Sequence, residues 1–432
     1  MTLPDKLFNK NFYLLWQGQF ISMIGTQVFA IAMIFWIKHN TNSASILGLL
    51  LTISSITSVL LTVLGGIIAD RFNRRRIIII CDILSAFVLI LLAFLFLISP
   101  GSKEIILPGI FISTVLVAAL NAFFEPTISA SIPDIVPKNK INGANSMVQL
   151  SQQFSIMLGQ GLGGIFLKII GTEFLIILNS ISYSVAAFSE YFIKIPQKIA
   201  KNQNSWKNQI KKIKQDLMEG LSFINNNSGL KKIILMSTFL NFFTMPIIML
   251  LPFYVEDFLK ESAAWYGFIL AFYSIGSLIG YLIASLLRVG KKMQGRTILL
   301  FMLFEPAGYI LLTVISSGYS ALVLAIIAGL MRGYVTVNII SILQLTTPSQ
   351  IRGRVIGVLT TISGALAPLG AGLAGILFDL TGHNIVLIYA GCGVMMILMT
   401  IYFSMNQDFR KYIEIDITQT ENEFAMDENV IL

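Results

Sequence analysis

The sequence predicts an all-α integral membrane protein whose twelve transmembrane helices form two pseudo-symmetric six-helix bundles. Three observations lead there: an apolar and charge-poor composition, a series of apolar runs of spanning length, and a repeat that relates the second half to the first. Of the 432 residues, 55% are hydrophobic and 12% charged, with a mean hydropathy of +0.79; a soluble domain is charged at roughly a quarter of its positions. The net charge of +8 sits in short gaps between apolar runs, so it reports topology and argues against a nucleic-acid partner. Cys81 and Cys392 each lie inside an apolar run, which leaves neither a disulfide framework nor a metal cluster to assemble. The first run is too long for a signal-peptide core and no small-residue cleavage pattern follows it, so it is read as the first span.

A span needs about 20 apolar residues to cross a hydrocarbon core of about 30 Å. By that measure the spans fall at about 12–37, 43–69, 77–98, 105–131, 141–169, 173–194, 231–256, 263–288, 296–317, 319–344, 354–378 and 384–405. The even-numbered gaps hold the basic residues: Arg71, Arg74, Arg75 and Arg76, then Lys138 and Lys140, a lysine-rich centre, Arg288, Lys291, Lys292 and Arg296, and finally Arg352 and Arg354. The odd-numbered gaps hold almost none, and the gap after span 7 is net acidic through Glu256, Asp257 and Glu261. Positive loops stay in the cytoplasm, so both termini are expected inside the cell membrane.

Residues 195–230 break the pattern and divide the chain into an N-terminal bundle, 1–194, and a C-terminal bundle, 231–405, followed by an acidic tail, 406–432. Within the linker Trp206, Ile210, Ile213, Leu217, Leu221 and Ile224 recur at helical spacing, as expected for a helix lying on the membrane surface or on the protein's own loops. The tail is expected to be disordered and cytoplasmic.

The repeat is visible by eye. "LGQGLGGIFLKIIG", Leu158 to Gly171, aligns without gaps on "LGAGLAGILFDLTG", Leu369 to Gly382, and the same offset places Pro137 on Pro348 and Asn121 on Arg332. An even number of spans separates the copies, so the repeat is parallel. Gly159, Gly161 and Gly164, with Gly370, Gly372 and Gly375, spell a dinucleotide fingerprint, but that motif needs a strand before it and a helix starting at it. Here each copy lies inside a span, where small residues let helices approach closely. Gly159, Gly161, Gly163, Gly164, Gly370 and Gly372 are therefore expected to pack spans 5 and 11 at an interface between the halves.

"GGIIADRFNRRR", Gly65 to Arg76, ends span 2. Its Gly66, Asp70, Arg71, Arg74 and Arg75 resemble the loop signature of the major facilitator superfamily, with Asn73 in place of the signature's internal glycine, a residue that tolerates the left-handed turn. "AFFEPTISASIPDIVP", "GLSFINNNSGLKK" and "LQLTTPSQIRGRV" are similar to segments of its macrolide-efflux and enterobactin-exporter branch. The resemblance covers nearly the whole chain up to Gln407. It implies the major facilitator fold, export of a small molecule by alternating access, a cavity lined by spans 1, 4, 7 and 10, and no cofactor. Partners implied are the substrate, protons and the lipid bilayer, with the protein acting as a monomer.

The physics of the turn supports a gate. Spans 2 and 11 share a cytoplasmic end, so Asp70 can reach the positive N-terminus of span 11, an interaction worth roughly 0.3–2 kcal/mol. Gly66, one turn earlier, would remove a side chain from that contact, and Arg71, Arg74 and Arg75 would steady it. Acids contribute little to topology, so the topological role of the arginines leaves Asp70 without a task.

Ionisable residues inside spans default to function. Glu305 in span 9 and Arg332 in span 10 both fall near mid-membrane and can pair, as a coupling site or as a structural ion pair. Glu125 and Asp82 lie nearer the inner face and are proton-carrier candidates, Glu125 foremost because the resemblance places span 4 on the cavity. The efflux family's mid-span arginine is missing from "STVLVAALNAFF", with Arg332 in the repeat-related span, and Gln160 stands where the antiporter signature has proline. The cavity spans offer Gln27, Asn121, Phe124, Asn241, Phe243, Tyr334 and Asn338, aromatic walls with uncharged polar groups suited to a bulky amphipathic compound. No Walker sequence is present, and one charge moved down the membrane potential supplies roughly 2.3 kcal/mol per 100 mV, so proton antiport suffices. His39 and His383, without a nucleophile or metal motif, make an enzyme the weaker reading. Export of a siderophore or another endogenous metabolite remains the alternative within transport.

Overall fold

The computed structural model describes residues 7–197, 206–286 and 290–414, all helices, turns and connections. In chain order they are α1 (Lys10–Thr41), α2 (Ala44–Arg71), α3 (Arg74–Ile98), α4 (Lys103–Ile135), α5 (Ile141–Tyr191), α6 (Trp206–Asn226), α7 (Ser228–Met249), α8 (Ala264–Leu286), α9 (Lys291–Leu311), α10 (Gly318–Thr346), α11 (Ser349–Leu380), α12 (Ile385–Ser404) and α13 (Gln407–Ile413). A short turn, Leu251–Phe253, and a π-helical turn, Tyr254–Phe258, lead from α7 toward α8.

Ten helices among the described residues are long and apolar enough to cross a membrane. One of them, α5, has 51 residues, about 75 Å at 1.5 Å per residue and far more than one crossing. It is two spans joined without a loop, because Gly171 takes φ 79° and ψ 169° inside it. Side-chain pairing shows the reversal: Gln27 and Ile31 of α1 meet Gly159 and Gly163 in parallel order, whereas Gly18 and Gly25 meet Ala186 and Ser182 in antiparallel order. The gap expected between spans 5 and 6 is thus a single left-handed glycine, a conformation that costs glycine little. Its repeat partner Gly382 also has positive φ, 66°. The remaining span, α9, falls outside those ten and packs against α10 and α12.

The chain forms two compact units, Met1–Ser205 with Val255–Ala271, and Trp206–Tyr254 with Phe272–Leu432. In the first, α1 packs along α5, α2 along α4, and α3 against α4 and α5. In the second, α7 packs on α11 and α12, and α9 on α10 and α12. Large apolar side chains such as Leu60, Ile169, Phe188 and Leu286 remain exposed over both units. Lipid tails are as apolar as leucine, so close packing and polar contacts, more than apolar burial, hold such bundles together.

Three prolines show how. A proline inside a helix leaves the carbonyl four residues earlier without its donor. Pro126 frees Ala122, and Gly65 of α2 lies so close that an added methyl would overlap that carbonyl oxygen. Pro246 frees Phe242, and Gly370 of α11 meets its oxygen in the same way. Pro306 frees Met302, whose carbonyl accepts a hydrogen bond from Thr400 of α12 at 3.3 Å. Each exposed acceptor is met by a neighbouring helix.

The glycine segments divide. Gly159 and Gly163 pack against α1 and Gly370 on α7, each within its own half of the sequence, whereas Gly161 and Gly164 meet residues 263–271 at the start of α8, in the other half of the sequence. Gly372 is half-buried on α11.

The linker helix α6 docks on the start of α11. Arg354 pairs with Asp216 at 2.8 Å and Glu219 at 2.5 Å, and Gly220 leaves room for the Arg354 carbonyl and Val358. Leu217 and Leu221 stay exposed on its other face; the side chains of Trp206, Ile210 and Ile213 lie outside the described residues, as does 198–205. The segment expected to open the acidic tail instead begins with a packed helix. Phe409 and Ile413 of α13 are buried, and Gly229 of α7 faces the ring of Tyr412. Lys232 and Ser228 both bond Asp408 at 2.7 Å, and these bonds, Lys232's first, hold the Asp408 carboxyl below the usual carboxylate range. The acidic stretch from 415 onward is outside the described residues.

Candidate functional site

The turn after α2 is built around two arginines. Phe72 caps α2, and Asn73 caps α3 by accepting a hydrogen bond from the Arg76 backbone at 3.1 Å. Asn73 has φ −65°, so its use here is as a helix N-cap and not in the left-handed conformation expected. Arg74 donates to Asp134 and to the Ala130 carbonyl, both at 2.7 Å, and to the Ala69 carbonyl at 3.0 Å. It ties the ends of α2, α3 and α4 together. Gln197 adds a strap, accepting from the Arg74 backbone at 3.0 Å and donating to the carbonyls of Ala69 and Phe72. Arg75 donates to the Tyr191 carbonyl at the end of α5 and stands 5.2 Å from the centre of the Tyr191 ring. Two of the four arginines are therefore fastenings between helix ends.

Asp70 is the exposed member of this group, at 61%, with an i,i+4 contact of 3.4 Å to Arg74. Arg71 is half-buried beside it. A methyl added at Gly66 meets nothing within 4 Å, whereas one at Gly65 would run into α4. The close approach in this motif within the first unit is thus made by Gly65, which faces α4.

In the second unit Arg332 of α10 comes within 4.0 Å of Glu305 of α9 and donates to Asn241 of α7. Tyr309 donates to Glu305 at 2.9 Å. The pairing expected from depth is present, and it joins three helices. A buried carboxylate with a guanidinium as its countercharge and a phenol as its donor meets the requirement that interior charge be paired and hydrogen-bonded.

Among the first unit's carboxyls, Glu125 stands on the more accessible side of α4, next to Pro126. Asp82 is buried on α3, and beside it lies Glu190 of α5, a residue the sequence reading missed. Glu190 lies in the last turn of its span, where an acid reads as interfacial; its burial is set by α3, which no local pattern reveals.

The cavity candidates divide. Gln27, Asn121, Asn241 and Phe243 are half-buried. Gln160 donates to Gln27 at 3.1 Å, so the glutamine that replaces the signature proline has a partner across α1 and α5. The Tyr183 hydroxyl pairs with Thr26 at 3.0 Å. Phe124, Tyr334 and Asn338 are buried inside their own units. Phe124 belongs to a core with Phe12 and Ile78, and Tyr334 packs on Phe301 with ring centres 5.1 Å apart. Asn338 accepts from Gln294 and donates to the Tyr334 carbonyl. A helix offers one face to a cavity, and these three stand on faces that meet neighbours.

A further polar cluster also went unread in the sequence. Lys38 near the end of α1 is buried and pairs with Glu256 at 2.6 Å and Asp257 at 3.0 Å, with His39 at 2.9 Å from Glu256. A pocket of about 450 Å³ opens beside it, lined by Phe35, Trp36, His39, Lys168, Gly171 and Glu256 among others. The net acidity after span 7 has its counterpart here.

A helical membrane protein built as two copies of a six-span unit, with ionisable side chains paired inside its spans, has the architecture of a secondary transporter. The chain belongs to the major facilitator superfamily, whose sequence profile matches residues 15–371. It is 23% identical to macrolide efflux protein A of Streptococcus pyogenes over 93% of this chain and 96% of that protein. It is 24% identical to the multidrug efflux pump Tap of Mycolicibacterium fortuitum over 80% of this chain and 83% of the pump. The fold matches the crystal structure of a bacterial homologue of the iron transporter ferroportin with a TM-score of 0.70 and 14% identity, covering 93% of this chain and all of that one. The protein is a multi-pass membrane transporter, not an enzyme.

Proposed function

We propose that the protein exports amphipathic small molecules of the macrolide or drug class from the cell by alternating access, driven by proton antiport. The observation that carries the substrate class is the end-to-end similarity to a macrolide efflux protein, joined by a multidrug pump. Half-buried Gln27, Asn121, Asn241 and Phe243 supply aromatic and uncharged polar surface of the kind such compounds need. In this reading both termini face the cytoplasm, the protein is a monomer in the cell membrane, and Glu125, Asp82 and the Glu305–Arg332 pair are the coupling candidates.

The test is accumulation of labelled erythromycin in cells with and without the protein. Expressing cells should hold less label, and an uncoupler should erase the difference. Equal accumulation in both strains would remove macrolides from the substrate class; secreted metabolites of a deletion strain then decide for the alternative, export of a siderophore or another endogenous product.

Asp70 is assigned to the cytoplasmic gate, as the acid that engages the N-terminus of α11 when that side closes. It is exposed at the end of α2, 3.4 Å from Arg74. Asp70→Asn is expected to slow efflux about 2- to 30-fold, the kinetic equivalent of 0.3–2 kcal/mol, at unchanged membrane yield. An unaltered rate at normal insertion would falsify the gate.

A further inference from the structure

Asp82 and Glu190 hold a position that the gate and the cavity do not explain. They are 2% and 1% exposed, and their carboxyl groups lie within hydrogen-bonding reach of each other across α3 and α5. Asp82 Oδ2 and both carboxyl oxygens of Glu190 meet no N–H or O–H donor among the described residues. Buried carboxylates ordinarily collect donors, and two negative charges side by side out of water repel each other with little screening. One added proton resolves both problems, since a protonated carboxyl donates its O–H to the other.

The surroundings suit a proton that comes and goes. Arg75 stands two turns before Asp82 on α3 and donates to the carbonyl of Tyr191, the residue after Glu190, so a cation marks one end of the pair. Tyr183, two turns before Glu190 on α5, is buried and pairs with Thr26 at 3.0 Å. Buried Cys81 adjoins Asp82.

We propose that Asp82 and Glu190 form a carboxyl dyad that binds one exchangeable proton and is the coupling site of the transport cycle. Loading forms an O–H bond on one carboxylate with a proton from water; unloading returns it to water on the other side of the cycle. This rests on the proton-antiport reading, so the experiment separates the two.

Infrared difference spectra of the purified full chain in lipid, titrated with pH, should show a protonated-carboxyl C=O band that disappears as pH rises. Asp82→Asn and Glu190→Gln should each remove it. Both replacements keep side-chain shape and are compared at equal monodisperse yield; if neither folds, the wild-type titration and its shift in heavy water still decide. In liposomes loaded with a pH dye, erythromycin-linked proton flux should fall to the protein-free level in both variants. A band that ignores pH, one that survives in both variants, or flux that persists in both overturns the dyad. A band displaced by sodium at constant pH points to a metal cation and overturns it as well. Absence of any erythromycin-linked proton flux in the wild type sinks the antiport reading, while the titrating band still upholds the dyad as a proton site.

Discussion

A leucine at Gly329 is expected to leave almost no monodisperse protein in detergent, while an alanine at Gly308 leaves the yield unchanged or raises it. The reason is the contact between α8 and α10. A methyl added at Gly276 or Gly280 would overlap the carbonyl of Ile326 or Leu330, and one at Gly329 or Gly333 would overlap that of Tyr273 or Ser277. The two backbones therefore touch at four points, each worth about 0.5–1 kcal/mol as a Cα–H contact to oxygen. Overpacking costs about 1–3 kcal/mol when side chains can yield; here the obstacle is backbone, so the cost lies at or above the top of that range and the contacts are lost with it. Gly308 has nothing within 4 Å of an added methyl, and alanine improves on glycine in a helix by about 1 kcal/mol. Size-exclusion profiles of fluorescently tagged variants read the outcome, and a monodisperse Gly329→Leu would refute the backbone contact.

Arg332→Leu is expected to destabilise the protein by about 3–5 kcal/mol, the cost of stranding a buried partner charge. Glu305 is 2% exposed; without the guanidinium it keeps the Tyr309 hydrogen bond but loses its countercharge. Removing both charges together is a different matter: Glu305→Gln with Arg332→Leu leaves no unpaired charge and should recover most of the stability, since buried ion pairs are often replaceable by neutral groups. The same double variant separates the coupling candidates: uncoupler-sensitive efflux is expected to persist where Asp82 and Glu190 carry the proton, and its loss would assign coupling to the Glu305–Arg332 pair. Thermal unfolding in detergent gives the first comparison and erythromycin accumulation the second. A double variant as unstable as the single would show that Asn241 and the helix contacts, not the charges, set the cost.

The spans were legible in the sequence because a bilayer imposes a length and a composition on every crossing, and the repeat was legible because Gly171 and Gly382 meet the same backbone demand. The details that failed depend on partners remote in sequence. Gly65 and Gly66 are equivalent letters, and only the direction of α4 decides which one packs. The spacing of four in Gly276–Gly280 and Gly329–Gly333 was available as a signal for close helix packing and was overlooked beside the more conspicuous glycines of spans 5 and 11. Glu190 and Lys38 each end an apolar run, so hydropathy places them at the interface; α3 buries the first, and Glu256 with Asp257 encloses the second. Asn338 has the right helix and depth for a cavity, yet Gln294 engages its amide.

The prolines of α4 and α7 have a consequence for motion. An ordinary hydrogen bond resists being stretched and also being displaced sideways, because its strength depends on alignment. The carbonyls of Ala122 and Phe242 press instead on the bare faces of Gly65 and Gly370, and such a contact is weak and tolerant of angle. Neighbouring rods joined in this way hold their spacing while one creeps past the other, which makes these two seams the slip planes along which each bundle can change shape without first tearing itself open.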